Sequence, residues 1–208
     1  MSEELHPPEQ ITSFFLIRHG HTEPVEHGRL YNDPAVELTE KGIEQAHQIA
    51  NWLSKQDFEC LLSSCAKRVV STAKIVSERL NIEVEVIPDL NEWDVGAWEG
   101  SSYLEIKKTK PDEYSHWVKD PIENAPPNGE SIRDLYNRSV MVLDKMIETH
   151  PGKKIALISH AGVIRAVIAH ALGMPLNNFW RVNIPAGSIT RVDFSPNYAT
   201  VHFMAQMP

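Results

Sequence analysis

Four apolar residues, Phe14-Phe15-Leu16-Ile17, run without alternation into the polar stretch Arg18-His19-Gly20-His21-Thr22. A strand with one face in water alternates apolar and polar side chains. This one does not, so it is predicted to be buried on both faces, as in a parallel sheet covered by helices. In open α/β sheets ligands collect at the carboxyl ends of such strands. Arg18 and His19 are expected at that end, with Gly20 letting the backbone come close to whatever binds there. A second stretch repeats the design: Lys154-Ile155-Ala156-Leu157-Ile158-Ser159 leads into His160-Ala161-Gly162-Val163. Two buried strands that each end in histidine place two imidazoles at one pocket.

The remaining chain reads as alternating helices and strands. Residues 1–12 are expected to be a loose arm. The connection from Gly20 to Glu37 holds Pro24, Gly28 and Pro34 and has no helical period. A loop of that length is usually functional, which makes Thr22 and Arg29 candidate substrate contacts. Thr39 and Glu40 precede the helical stripe Ile43, Ala46, Ala50, Leu53. A short strand at Cys60–Ser63 is followed by a second helical face, Val69, Ala73, Val76, Leu80. Ile82, Val84 and Val86 alternate with Glu83 and Glu85, the pattern of a half-exposed edge strand. Ser102 with Glu105 forms a capping-box pattern for a short helix ended by Pro111, and Ser131 with Asp134 caps a longer one along Ile132, Leu135, Val142 and Met146. The helix after His160 stops at Gly173, and residues 188–194 and 199–204 form a closing hairpin. The whole, 1–208, is expected to be a single α/β domain, a three-layer α/β/α sandwich with a largely parallel sheet. Residues 88–130 are its largest insertion, expected to act as a lid. Of Trp93, Trp98, Tyr103 and Trp117 in that segment, at least two are expected in the core.

Bulk properties narrow the function. The formal net charge of −8 argues against a nucleic-acid partner, although a pocket's local field can still favour a small anion. No apolar run approaches the ~20 residues of a membrane helix, and the acidic start lacks the pattern of a secretory signal. Cys60 and Cys65 form neither a CxxC nor a disulfide framework, so a reducing, cytoplasmic setting is expected.

Two histidines, two arginines (Arg18, and Arg68 near the start of a helix) and one carboxylate, Glu92, suit phosphate chemistry. Cleaving a phosphomonoester needs a nucleophile, positive donors around the transferring oxygens, and a proton for the leaving alkoxide. Arginines supply permanently charged, planar donors. A neutral imidazole can attack phosphorus directly, dividing one hard step into two. His19, flanked by Arg18 and Gly20, is the better nucleophile; His160 is then a donor to the transferring oxygens. Ala161 and Gly162 open a helix whose free N–H groups favour an anion. Glu92 is the candidate general acid, since a neighbouring phosphate dianion disfavours an ionised carboxylate.

These residues carry a resemblance. Arg18-His19-Gly20-His21-Thr22 resembles the RHG signature of the histidine phosphatase superfamily, in its phosphoglycerate-mutase-like branch. The similarity continues through Leu38-Thr39 with Gly42, Gln45 and Ala46, then Leu62-Ser63-Ser64 with Arg68, Thr72 and Ala73. It includes Leu90, Glu92, Gly96, Trp98, Glu99 and Gly100, then Gly129-Glu130-Ser131, and ends in Ser159-His160-Ala161-Gly162. The blocks keep the family's order over about residues 13–172. The resemblance implies a three-layer α/β fold and metal-independent phosphoryl transfer without a cofactor. It makes His19 the phosphorylated residue, Arg18, Arg68 and His160 the phosphate pocket, and Glu92 the proton donor. Three departures bear on specificity. His21 stands where the family usually has Glu or Gln, Val25 where an asparagine often binds phosphate, and Ala35-Val36-Glu37 replaces a common Asp-x-Pro.

The first expectation is therefore a phosphatase acting on a small phosphomonoester. A cofactor-dependent phosphoglycerate mutase ranks second, because mutases usually carry a longer, more basic insertion; residues 101–130 offer only Lys107, Lys108, Lys110 and Lys119. A metal hydrolase using His19 and His21 as an HxH pair ranks third, and a phosphate-binding module without turnover fourth. A homodimer through the edge strand 82–87 is opposed by Glu83 and Glu85.

Overall fold

The computed structural model describes residues 11–208. Its centre is a six-stranded sheet made of β1 (Thr12–Arg18), β2 (Cys60–Ser63), β3 (Val84–Val86), β4 (Lys154–Ser159), β5 (Ile189–Phe194) and β6 (Ala199–Gln206). The strand order is β3-β2-β4-β1-β5-β6. The first four strands in that order pair in parallel; β5 and β6 are antiparallel and close the chain as the expected hairpin.

The unbroken apolar run of β1 has the expected consequence. Phe14 and Leu16 point into one apolar layer with Ile155 and Leu157 of β4, while Phe15 and Ile17 point into the opposite layer with Ala156 and Ile158. Helices α1 (Glu40–Leu53) and α2 (Lys67–Leu80) cover the second layer through Ile49, Leu53, Val69, Ala73 and Val76. After α3 (Tyr103–Thr109) and α4 (Pro111–Lys119), helices α5 (Ile132–Thr149) and α6 (Ala161–Ala171) cover the first through Leu135, Leu143, Met146, Val163 and Val167. The result is a mixed α/β three-layer sandwich. The chain leaves β1 towards α1 on one face and leaves β4 towards α6 on the other. A crevice therefore opens between the carboxyl ends of these two central strands.

Several local details differ from the sequence reading. Of the expected N-terminal arm, residues 1–10 lie outside the described residues. Ile11 and Thr12 are buried, and Thr12 begins β1 with its Oγ1 donating to the His150 carbonyl at 3.2 Å. The connection after Gly20 contains one helical turn, Glu23–Glu26, begun by Pro24 in its first turn. Gly20 does not make room for a ligand: a Cβ there would overlap the backbone of Gly42 in α1. The glycine is required by helix packing against the turn after β1. The edge strand β3 and both capping boxes, Ser102–Glu105 and Ser131–Asp134, form as expected.

Residues 88–130 are anchored by aromatic packing. Trp117 lies among Trp93, Trp98 and Tyr103, with ring centroids 6.3, 5.4 and 5.4 Å away. Trp93, Trp98 and Trp117 are all buried. No helix among the described residues is long and apolar enough to cross a membrane.

Candidate active site

The strand register brings the two histidines together. Arg18 lies opposite Ser159, and the His19 N–H donates to the Ser159 carbonyl at 3.1 Å. His19 and His160 then follow on adjacent strand ends, with ring centroids 5.3 Å apart. Both rings are buried.

Their hydrogen bonds define where each proton sits. Nδ1 of His19 is 2.7 Å from the Gly20 carbonyl, which can only accept. The proton is therefore on Nδ1, and Nε2 of the neutral ring keeps its lone pair. Burial, then the charges of Arg18 and Arg68, hold the His19 pKa well below the ordinary 6.5, against a weaker upward pull from the Gly20 carbonyl. Arg68 Nη2, which can only donate, is 3.3 Å from His160 Nδ1. The His160 proton is then on Nε2, directed to Ser64 Oγ at 2.8 Å. The His160 pKa is also well below 6.5, through burial first and then Arg68, His19 and Arg18.

Two guanidinium groups complete this wall. Arg68 is fully buried; its Nη1 donates to the Asp33 carbonyl at 2.8 Å, and its plane lies 4.6 Å over the Tyr31 ring. Arg18 donates from Nη1 to the Ile184 carbonyl at 2.7 Å. The Nε of each is buried without a hydrogen-bond partner. Among the described residues, neither arginine is within ion-pair distance of a carboxylate. Cations desolvated with donors to spare and no counter-ion form a site for an anion.

Glu92 faces them from the loop after Leu90. Its Oε1 accepts from the N–H groups of Trp93 and Gly162, both at 3.0 Å. The helix start at Ala161–Gly162, expected from sequence to offer free N–H groups to phosphate, thus gives one of them to Glu92. A Cβ at residue 162 would overlap Glu92 Oε1, so this approach requires glycine.

Arg18, Glu92, Ala161 and Gly162 line a cavity of about 250 Å³. Thr22 is buried behind it, bonded to Tyr31 Oη at 2.8 Å, and Tyr31 Oη in turn lies 3.5 Å from His19 Nε2. Arg29 stands at the mouth, half-exposed, with Nη1 on the Gly100 carbonyl and 3.4 Å from Glu105 Oε2. His21 turns elsewhere, its Nδ1 2.9 Å from Thr39 Oγ1. Among the described residues no group of three or more His, Cys, Asp or Glu side chains could hold a metal ion. Two clefts of about 620 Å³ each lie elsewhere and are lined by neither Arg18 nor Glu92.

Among the cavity-lining features that escape the sequence reading are Tyr31, Arg165, and the turn Leu176–Arg181 that brings Phe179 and Trp180. Arg165 donates from Nε to the Val182 carbonyl at 2.8 Å, and burial lowers its pKa from the ordinary value. A signal was present. Arg165 is the one arginine or lysine in α6, AGVIRAVIAHA, whose other residues are apolar apart from His170.

A family model, "Histidine phosphatase superfamily (branch 1)", matches residues 14–206. The chain belongs to the histidine phosphatase superfamily. The adenosylcobalamin/alpha-ribazole phosphatase of Escherichia coli K12 is 30% identical over 190 residues, covering 91% of this chain and 94% of that protein. The metal-independent phosphoserine phosphatase of Arabidopsis thaliana is 31% identical over 169 residues, 80% of this chain and 71% of the relative. The crystal structure of the alpha-ribazole phosphatase from Shigella flexneri superposes with a TM-score of 0.85 at 29% identity, covering 94% and 96% of the two chains. The expectation of a histidine phosphatase, a phosphoric monoester hydrolase, is thus borne out at the level of the family. The buried imidazoles and unpaired guanidiniums lie within the stretch that the histidine phosphatase model matches.

Proposed function

We propose that this chain is a metal-independent phosphatase that hydrolyses a small phosphomonoester through a phosphohistidine on His19. One observation carries the reading: a neutral His19 ring, its Nδ1 proton tied to the Gly20 carbonyl, beside two guanidiniums whose Nε atoms are buried without a hydrogen-bond partner.

The phosphoryl group enters with its oxygens towards Arg18 and Arg68. Its dianionic charge raises the proton affinity of His160, which takes up a proton from solvent as the substrate binds and then donates to the same oxygens. His19 Nε2 attacks phosphorus as the bond to the ester oxygen breaks. Glu92, on the opposite side, gives its proton to that leaving oxygen. The Gly20 carbonyl stabilises the positive charge that develops on the ring. In the second half Glu92 accepts a proton from water, the water oxygen attacks phosphorus, the N–P bond breaks, and inorganic phosphate leaves.

The chain acts in this reading as one domain, with residues 88–130 supplying the acid and one wall of the site. The alcohol part of the substrate lies against Tyr31, Tyr103, Phe179 and Trp180, within reach of Arg165. Relatives named for alpha-ribazole and for phosphoserine support the reading of a small phosphomonoester as substrate. A mutase ranks second, because among the described residues Arg29 and Arg165 alone add to the cations lining the cavity to hold a second phosphate.

The test is phosphate release from a panel of small phosphomonoesters in EDTA, by wild type and His19→Ala. Turnover in EDTA that disappears in the variant is expected. Wild type that releases no phosphate but interconverts phosphoglycerates would reverse the ranking.

A further inference from the structure

Among the described residues, the carboxyl group of Glu92 has two hydrogen-bonding contacts, both backbone N–H groups. Its position therefore depends on the backbone that carries it, and that backbone is an irregular loop. Loops are the mobile parts of a fold unless their polar groups are tied down. Here they are, and largely by one side chain outside the catalytic cavity.

Arg138, in the second turn of α5, commits all of its donors to this task. Nη1 donates to the Asp89 carbonyl at 2.7 Å and to the Asn91 carbonyl at 2.8 Å. Nη2 donates to the Glu92 carbonyl at 3.0 Å and to Glu130 Oε1 at 2.6 Å. Nε donates to Glu130 Oε2 at 3.0 Å. A guanidinium has five N–H groups in a fixed fork, and each has a partner. The intervening Leu90 carbonyl is taken by Ser159 Oγ at 2.7 Å. Every carbonyl from Asp89 to Glu92 is thereby held. Glu130 closes the far side: Oε1 accepts from the Asp94 N–H at 3.0 Å, and its carbonyl accepts from the Trp93 indole at 2.7 Å. Neither Arg138 nor Glu130 lines the cavity shared by Arg18 and Glu92.

The geometry points to Arg138 and Glu130 as a positioning pair that sets the reach of the Glu92 carboxyl towards the leaving oxygen. A bidentate guanidinium–carboxylate pair fixes orientation as well as distance. A shift of the loop by about 1 Å is enough to cost about 10²-fold in a proton transfer that depends on alignment. The proposal rests on the reading of Glu92 as proton donor.

Arg138 also acts on His160 by its charge, which lowers the His160 pKa. The two routes separate chemically. Arg138→Lys keeps the charge and loses the fork, and Glu130→Gln keeps the shape and loses the bidentate pairing. The readout is kcat/KM, which reports formation of the phosphoenzyme, for an alkyl phosphate and for 4-nitrophenyl phosphate. An alkoxide needs the proton; 4-nitrophenolate leaves without it.

Arg138→Lys and Glu130→Gln are expected to lose about 10-fold or more on the alkyl ester and less than about 3-fold on the aryl ester, with inhibition by inorganic phosphate unchanged. Equal loss on both esters, or no loss on either, in whichever of the two variants folds overturns the proposal. So does loss in Arg138→Met that Arg138→Lys fully restores, which assigns the effect to charge. Glu92→Gln in the same assay tests the underlying reading by itself. If Glu92→Gln has no preference between esters, the role of Glu92 falls. If it has that preference and the Arg138 and Glu130 variants do not, the positioning pair falls alone.

Discussion

Two buried neutral imidazoles should make this fold lose stability on mild acidification. His19 and His160 are both held well below the ordinary 6.5, by burial first and neighbouring arginines second. In the unfolded chain each returns to about 6.5 and binds a proton as the pH falls below that value. The folded state does not. The unfolded state thus binds more protons in the window below 6.5, and stability there rises with pH. Two such groups contribute a slope approaching about 2.7 kcal/mol per pH unit well below 6.5. At about pH 5.5 each has cost about 1.4 kcal/mol relative to the plateau above 7.5, near 3 kcal/mol together. Most carboxylates titrate lower, so this window isolates the histidines. Urea unfolding at the two pH values measures the difference, and His160→Gln, which keeps a polar side chain near Ser64, should reduce it by about half. A stability that is flat across the window, or a slope unchanged in His160→Gln, would refute the assignment of neutral rings to the folded site.

Other outcomes follow from the same geometry. Inorganic phosphate at 100 times its Kd should stabilise the wild type by about 2.7 kcal/mol and leave the melting temperature of Arg68→Met unmoved, read by thermal melts with and without phosphate. Gly162→Ala should displace the Glu92 carboxyl, since its Cβ overlaps Oε1, and lower kcat/KM for alkyl phosphates about 10²-fold. Its folding stability should change by only about 1 kcal/mol, because alanine favours the helix while the Gly162 N–H loses its partner. Trp117→Ala should cost about 3–5 kcal/mol in urea unfolding by emptying the centre of the aromatic cluster. Trp117→Phe should cost less, because it also removes a buried indole N–H without a partner.

The parts legible in the sequence were those written as local pattern. Phe14–Ile17 and Ile155–Ile158 announced strands buried on both sides because neither alternates, and such strands deliver their next residues to the crevice between sheet ends. Helix starts at Thr39, Ser102 and Ser131 were legible because a capping side chain acts on residues two or three positions away. Contacts between distant segments were not. Gly20 faces the backbone of Gly42 rather than a ligand, which the turn sequence alone does not encode. Thr12 looked like part of a polar arm, yet its backbone pairs with Phe194 and its hydroxyl caps the His150 carbonyl. Tyr31, Phe179 and Trp180 reach the cavity from segments without periodicity, so nothing local marks them. Arg138 is the plainest case: nothing on its own helix marks it, and three of its hydrogen bonds run to the carbonyls of a loop over 40 residues earlier.

The central claim is that His19 Nε2 carries the phosphoryl group between the two half-reactions. The direct measurement mixes the enzyme with 4-nitrophenyl phosphate, quenches in alkali where phosphohistidine survives, and maps the adduct by peptide mass spectrometry. Glu92→Gln, slowed in the water attack, should accumulate the intermediate. A phosphoryl group on the His19 peptide, absent from His19→Ala, is the predicted result. Continued turnover with His19 unmodified, or a phosphoryl group on any other residue, would contradict the account.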